Sequence, residues 1–251
     1  MVGRLPDGSW LGLRPTVGGP GPQPAGRYVD SLTLLRVSAA GDSTVPLNAH
    51  PGMVRSGGGG EFGPLQEGFG IRGVVVAGAG GYCFGDGARY DVGCYTAEGA
   101  LDRLIRRAAD PAPVTALAID RYKAWLTGMR LEPGMAGGDA MRERMRRLAD
   151  ATQFASTFPF FRGFQLDPLG FVWVNNYDLE DDMPNVVDPR SLPTRQTPDT
   201  WSVFDPSGRW MGDVRLPAGF RPVGFDRDVI VGMGHDADTF QQVLLLRLDR
   251  R

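Results

Sequence analysis

The sequence predicts an all-β protein assembled from a repeated antiparallel unit, with one helical insertion, and three observations carry that prediction. Glycine and proline punctuate the chain: 36 Gly and 20 Pro among 251 residues favour many turns over long helices. Four short apolar runs lack polar alternation, the pattern of strands buried on both faces. After three of these runs a second element recurs, two strand-like stretches around a small or acidic tetrad that contains glycine.

In chain order, the first turn and apolar strand read LPDGSWLGL, Leu5–Leu13. A Gly-Pro-rich stretch from Gly18 to Gly26 has linker composition. The hairpin-like LTLLRVSAAGD, Leu32–Asp42, follows. The second pair is FGIRGVVVAG, Phe69–Gly78, and YDVGCYTAEGALDRLIRR, Tyr90–Arg107. From about Val114 to Phe154 the period changes to helical. Ala118, Tyr122, Trp125, Leu126 and Met129 share a face, with Thr115 placed to cap; Met141, Met145 and Leu148 mark a second helix over Ala140–Ala151, capped by Asp139. The Met residues read as filler of a packed face. The third pair is LDPLGFVWVN, Leu166–Asn175, and WSVFDPSGRWMGDVRLP, Trp201–Pro217, whose DPSG suits a type I turn. FDRDVIVGM, Phe225–Met233, opens a fourth unit.

The apolar strands begin about 64, 97 and 58 residues apart, the middle interval holding the insertion. This alternation predicts a β-propeller of about three and a half blades in a single domain over residues 1–251, with the helical insertion at 114–154. About fourteen strands are expected, with the first blade lacking its innermost strand and the last its outermost. Such an arc leaves blade faces and strand edges bare, a route to self-association.

Composition excludes some partners. A formal net charge of −2 and a pI near 5.7 give no electrostatic case for nucleic acid, and the basic cluster Arg142–Arg147 reads as a solvated helix face. No apolar run approaches the roughly 20 residues of a membrane span. The opening MVGRLPDGSW carries no signal-peptide core and reads as the middle of a fold. Cys83 and Cys94 flank a turn-like GDGARYD and are either a hairpin disulfide or two buried thiols, a choice that depends on compartment.

The segment FQLDPLGFVWVNNY, Phe164–Tyr177, followed by Trp201–Pro217, resembles six-bladed β-propeller proteins of the NHL-like and TolB-like type. In these bacterial proteins D-x-x-G-x-x-W-V opens a blade and W-x-V-F-D-x-x-G-R forms its outer hairpin. Tyr90–Arg107 with Val114–Thr115, and Asp228–Asp249, look similar, so the likeness covers most of the chain except Pro15–Gly26 and Met135–Gly138. It implies part of a six-bladed ring, lacking the N-terminal half, in an extracytoplasmic protein. It also implies that an N-terminal strand clasps the ring, so that either upstream sequence or a second chain completes it.

Long connections are expected at Pro15–Arg27, Ala77–Arg89, Asn175–Thr200 and Gly234–Phe240, all on one face. Loops held by a rigid scaffold concentrate function, so the candidate binding residues are Tyr82, Phe84, Asp86, Asn175, Asn176, Tyr177, Asp178 and His235. The run Asp178–Asp182 offers oxygen ligands for calcium, or simply a solvated acidic loop. His235 beside Asp236 and Asp238 is a general base or a polar loop residue, and His50 before Pro51 is a turn residue. Two histidines rule out a three-histidine zinc site within the chain. No Ser sits in a GxSxG elbow and no GxGxxG follows a strand in a βαβ setting. The leading expectation is a non-enzymatic module binding a protein, peptide or glycan. The alternatives are a metal-dependent hydrolase resembling gluconolactonases, with Asn175 and Asp178 as ligands, and an inactive fragment.

Overall fold

The computed structural model describes residues 2–16, 26–57, 60–78, 80–128, 138–178, 198–235 and 240–249. Its strands fall into four antiparallel sheets, each a simple up-and-down meander in chain order. Sheet 1 comprises β1 (Gly3–Arg4), β2 (Trp10–Thr16), β3 (Gly26–Val37), β4 (Thr44–Gly57) and β5 (Leu65–Gln66). Sheet 2 comprises β6 (Val74–Gly78), β7 (Gly81–Gly85), β8 (Asp91–Tyr95) and β9 (Leu101–Arg106). Sheet 3 holds β10 (Phe161–Leu166), β11 (Val172–Asn176), β12 (Asp199–Phe204) and β13 (Trp210–Leu216). Sheet 4 holds β14 (Arg221–Phe225), β15 (Val229–His235) and β16 (Gln241–Arg247). Helices α1 (Ala116–Thr127) and α2 (Gly138–Ala151) lie between sheets 2 and 3 in sequence.

The first strands of successive sheets touch in order, β1 with β6, β6 with β10 and β10 with β14. A separate apolar cluster fills each seam. Leu5, Leu11 and Leu34 of sheet 1 meet Tyr82 and Ala97 of sheet 2. Val92, Cys94 and Ile105 of sheet 2 meet Phe161, Phe164, Val172 and Val174 of sheet 3. Trp173, Trp201 and Val203 of sheet 3 meet Phe220, Phe225 and Ile230 of sheet 4. The run Val172-Trp173-Val174 shows why the sequence lacks alternation there. Its valines face sheet 2 and its tryptophan faces sheet 4, so both faces of β11 are dry.

Tight turns form where glycine permits a positive φ. Gly8, Gly99, Gly170 and Gly208 have φ of 84°, 89°, 85° and 86°. Aspartate completes several of them: Asp167, buried, accepts from the Leu169 and Phe171 amides and from Trp173 Nε1.

Three expectations are corrected. Sheet 1 does contain a strand before β2, the two-residue β1, where a missing first strand was expected. Of the four apolar runs, those at β2, β11 and β15 are second strands, whereas VVVAG is the first strand of sheet 2. The connection Ala77–Arg89 is not a long loop, because β6 and β7 pair as a hairpin down to Gly78 and Gly81. Glycine and cysteine in GYCFG mask the strand signal; the glycines are required there because a Cβ at Gly81 would run into the Tyr95 carbonyl and one at Gly85 into the Phe161 ring.

Candidate functional site

The meanders sort every connection to one of two ends. Gly78 at the end of β6 lies against Leu166 at the end of β10, and Val74 at the start of β6 lies near Gly163, so these first strands run in the same direction. Turns between first and second strands, and between third and fourth, therefore share one end of sheets 2 and 3, here the turn end. The second-to-third connections and the segments between sheets share the other, the insertion end. Helices α1 and α2 dock there: Tyr122, Leu126 and Ala149 pack with Phe69 and Phe158. Thr115 caps α1 by accepting from the Ala118 amide at 3.2 Å. Burial pushes the Tyr122 phenol up to about 12.

A polar centre occupies the insertion end of sheet 3. Arg162 Nε donates to Asn175 Oδ1 at 3.0 Å and Nη2 to Asp199 Oδ1 at 2.7 Å, while Asn175 Nδ2 donates to Asp199 Oδ2 at 3.4 Å. The three come from adjacent strands β10, β11 and β12. The pairing of β10 with β11 shifts register between Phe161 and Gly163, so Arg162 is the extra residue of a bulge, a geometry that re-aims a side chain. Asn175 and Asp199 are buried, and the Arg162 side chain keeps 30% of its exposure. The guanidinium is thus oriented by two buried polar partners and remains partly exposed.

A second network ties sheet 2 to sheet 3. Tyr90 Oη donates to Asn176 Oδ1 at 2.7 Å, and Asn176 Nδ2 donates to Ser202 Oγ at 2.9 Å. Ser202 donates to Asp213 at 2.6 Å and accepts from Arg107 Nη1 at 2.8 Å. Arg107 also lies over the Tyr90 and Trp210 rings. Burial raises the Tyr90 phenol above its ordinary value, which keeps it a neutral donor. Ser202 is fully buried, so this cluster is a clamp between sheets and offers no accessible nucleophile.

The eight residues picked out by sequence separate accordingly. Asn175 belongs to the polar centre, and Asp178 lies two residues beyond β11 at the same end. Asn176 is in the clamp. Tyr177 packs on Phe158 with ring centroids 5.4 Å apart, within the helix-docking cluster. Asp86 forms the β7–β8 turn, accepting from the Ala88 amide at 2.9 Å. Tyr82 and Phe84 are not displayed on a loop. Both lie on β7; Tyr82 is 1% exposed and accepts from Asn48 at 2.7 Å, and Phe84 stacks on His50. His50 itself lies within β4 rather than in a turn. His235 ends β15, and its side chain, like residues 179–182 of the acidic run, lies outside the described ones. Cys83 and Cys94 are joined by a disulfide between directly opposed positions of β7 and β8.

Arg162 and Asp199 were missed by the sequence reading. The signal was a lone arginine inside the aromatic run Phe160–Phe164, since a charge in an apolar strand is buried only with partners. At the turn end, a cleft of about 510 Å³ between sheets 1 and 2 is lined by Asp7, Ser9, Arg36, Ser43 and Glu98. Its groups largely satisfy one another: Arg36 pairs with Asp7, whose carboxyl is held below its ordinary value chiefly by the Ser9 hydroxyl. Among the described residues, no three His, Cys, Asp or Glu side chains are grouped to hold a metal ion, and no helix is long and apolar enough to cross a membrane. No family model and no curated protein sequence matches the chain.

Proposed function

We propose that this chain is part of a β-propeller that acts as a non-enzymatic binding module, taking a peptide or glycan at its insertion end. The observation that carries the reading is the Arg162–Asn175–Asp199 centre, oriented by its own hydrogen bonds and partly exposed where the inter-sheet segments and helix pair gather. First-strand contacts running β1, β6, β10, β14, with an apolar cluster in every seam, support blades around a common axis. The likeness of Phe164–Tyr177 and Trp201–Pro217 to NHL-like and TolB-like repeats points the same way and adds an extracytoplasmic setting.

The test is binding of the purified chain to glycan and peptide arrays, followed by titration of the best hit. Arg162→Gln and Asp178→Asn should weaken that hit at least tenfold, a loss of about 1.4 kcal/mol or more, as expected for a charge-assisted contact. Glu98→Gln at the turn end should leave it unchanged. Full affinity in Arg162→Gln, or loss in Glu98→Gln, would refute the assignment of the binding end.

A further inference from the structure

The Cys83–Cys94 bridge is enclosed both within the seam and at its rim. The two cysteines are 3% and 6% exposed, and both belong to the apolar cluster between sheets 2 and 3. Phe161 and Phe164 of β10, Val172 and Val174 of β11 and Phe204 of β12 form the sheet 3 side of that cluster. At the rim, Arg103 of β9 stands directly opposite Cys94. Its Nη2 donates to Cys94 Sγ at 3.7 Å, and its Nη1 reaches across the seam to the Asp205 and Pro206 carbonyls of the β12–β13 turn. Gly208 of the same turn comes so close that a Cβ would stand 3.4 Å from Ile105 and 3.6 Å from Arg103. Thiol–disulfide exchange requires a thiolate to reach one of the two sulfurs. With aromatic and aliphatic side chains on one side and a latched arginine at the rim, sheet 3 blocks that approach. The order of the chain leaves an earlier opportunity. The β7–β8 hairpin is complete at Tyr95, whereas Phe161, the first sheet 3 residue of the cluster, follows the helix pair. A chain folded only as far as sheet 2 therefore presents both cysteines on a bare face.

We propose that this pair is a redox lock: a disulfide donor oxidises Cys83 and Cys94 before sheet 3 docks, and docking, latched by Arg103, then holds the bond out of reach of thiols. The folded protein keeps the redox state in which it folded, whatever its later surroundings. One cysteine thiolate attacks a sulfur of the donor disulfide, leaving a mixed disulfide and releasing one donor thiolate. The second cysteine thiolate attacks the protein sulfur of that mixed disulfide and releases the other donor thiolate. The two cysteines lose two electrons, the donor gains them, and the two thiol protons pass through solvent to the released thiolates. The lock uses no residue of the insertion end and stands or falls independently of the binding function.

Reduction of the oxidised full chain by dithiothreitol, read by alkylation and mass measurement, tests it. The native protein should lose the bridge at least about a hundredfold more slowly than the same chain in denaturant, because reduction waits for the seam to open. Arg103→Ser, which removes the latch, should speed native reduction at least about tenfold, whereas Asp102→Ser, the exposed neighbour on β9, should leave it unchanged. In the opposite direction, the reduced chain refolded in oxidised glutathione should form the bridge no later than its native near-ultraviolet spectrum appears. Native reduction within about tenfold of the unfolded rate, a fully refolded reduced chain that still oxidises at the unfolded rate, or an Arg103→Ser variant reduced no faster than wild type would overturn the proposal. If Arg103→Ser does not fold, the two wild-type measurements decide.

Discussion

His50 stacks on Phe84 at 4.2 Å, with the Tyr82 and Tyr95 rings edge-on at 6.3 and 5.1 Å, and its Nε2 is buried without a hydrogen-bond partner among the described residues. Burial holds its pKa below the ordinary 6.5. The sign of the consequence follows from linkage. As pH falls through that ordinary value, the unfolded chain takes up a proton that the folded chain still refuses, so stability drops. Tyr82 and Tyr95 have phenols raised mainly by burial and stay neutral here, while Asp7 and Asp205, lowered mainly by serine hydroxyls, lose their contribution only as pH falls below 3.8. The melting temperature should therefore fall between about pH 7 and pH 5. His50→Phe, which keeps the stacked ring and removes the orphan nitrogen, should flatten that fall. Parallel melting curves for the two proteins across this range would show that His50 does not titrate on unfolding.

At the scale of the element, the β7–β8 hairpin is where covalent and packing constraints coincide. Cys83 and Cys94 are bridged across directly paired positions and both are buried in the seam with sheet 3. Closing a loop of 11 residues restricts the unfolded chain, so Cys83→Ala with Cys94→Ala should cost about 3 kcal/mol in denaturant unfolding. A loss well under 1 kcal/mol would mean that the reduced, unfolded chain already holds the hairpin. Turns of this kind were legible in the sequence. DPLG and DPSG carry an aspartate to accept turn amides and a glycine at positive φ, and both fold so. The helix pair was legible as well, because its apolar stripe has a period no strand shares. β7 was not: GYCFG has no β-branched residue, and its two glycines, where a Cβ would run into the Tyr95 carbonyl and the Phe161 ring, break the strand signal.

Across the whole molecule, cohesion comes from seams between sheets. Gly85 shows how closely they fit: a Cβ there would stand 2.9 Å from the Phe161 ring and 3.0 Å from the Asp91 carbonyl. Gly85→Val should force β7 away from β10 and destabilise by about 1–3 kcal/mol, the usual cost of overpacking. Gly224→Ala, where nothing lies within 4 Å, should change stability by less than about 0.5 kcal/mol. Equal unfolding midpoints for the two variants would mean that the seam yields without cost. Seam polarity obeys the same constraint. Arg107 crosses from sheet 2 to Ser202 and Asp213 of sheet 3, so a charge placed between sheets arrives with its partners.

The amino-acid order alone determined the all-β class, the number of repeated units, the glycine-aspartate turns and the place of the helix pair. Each of these depends on contacts within a few residues, where periodicity and turn chemistry act directly. Which polar residues form a centre depended on the tertiary structure. Arg162, Asn175 and Asp199 meet only because β10, β11 and β12 lie side by side in register with a bulge at Arg162, and Tyr82 leaves the surface only because β7 is enclosed between sheets. Spacing along a chain sets the phase of a side chain on its own strand. The neighbour that covers it is chosen by how strands from distant segments pack together.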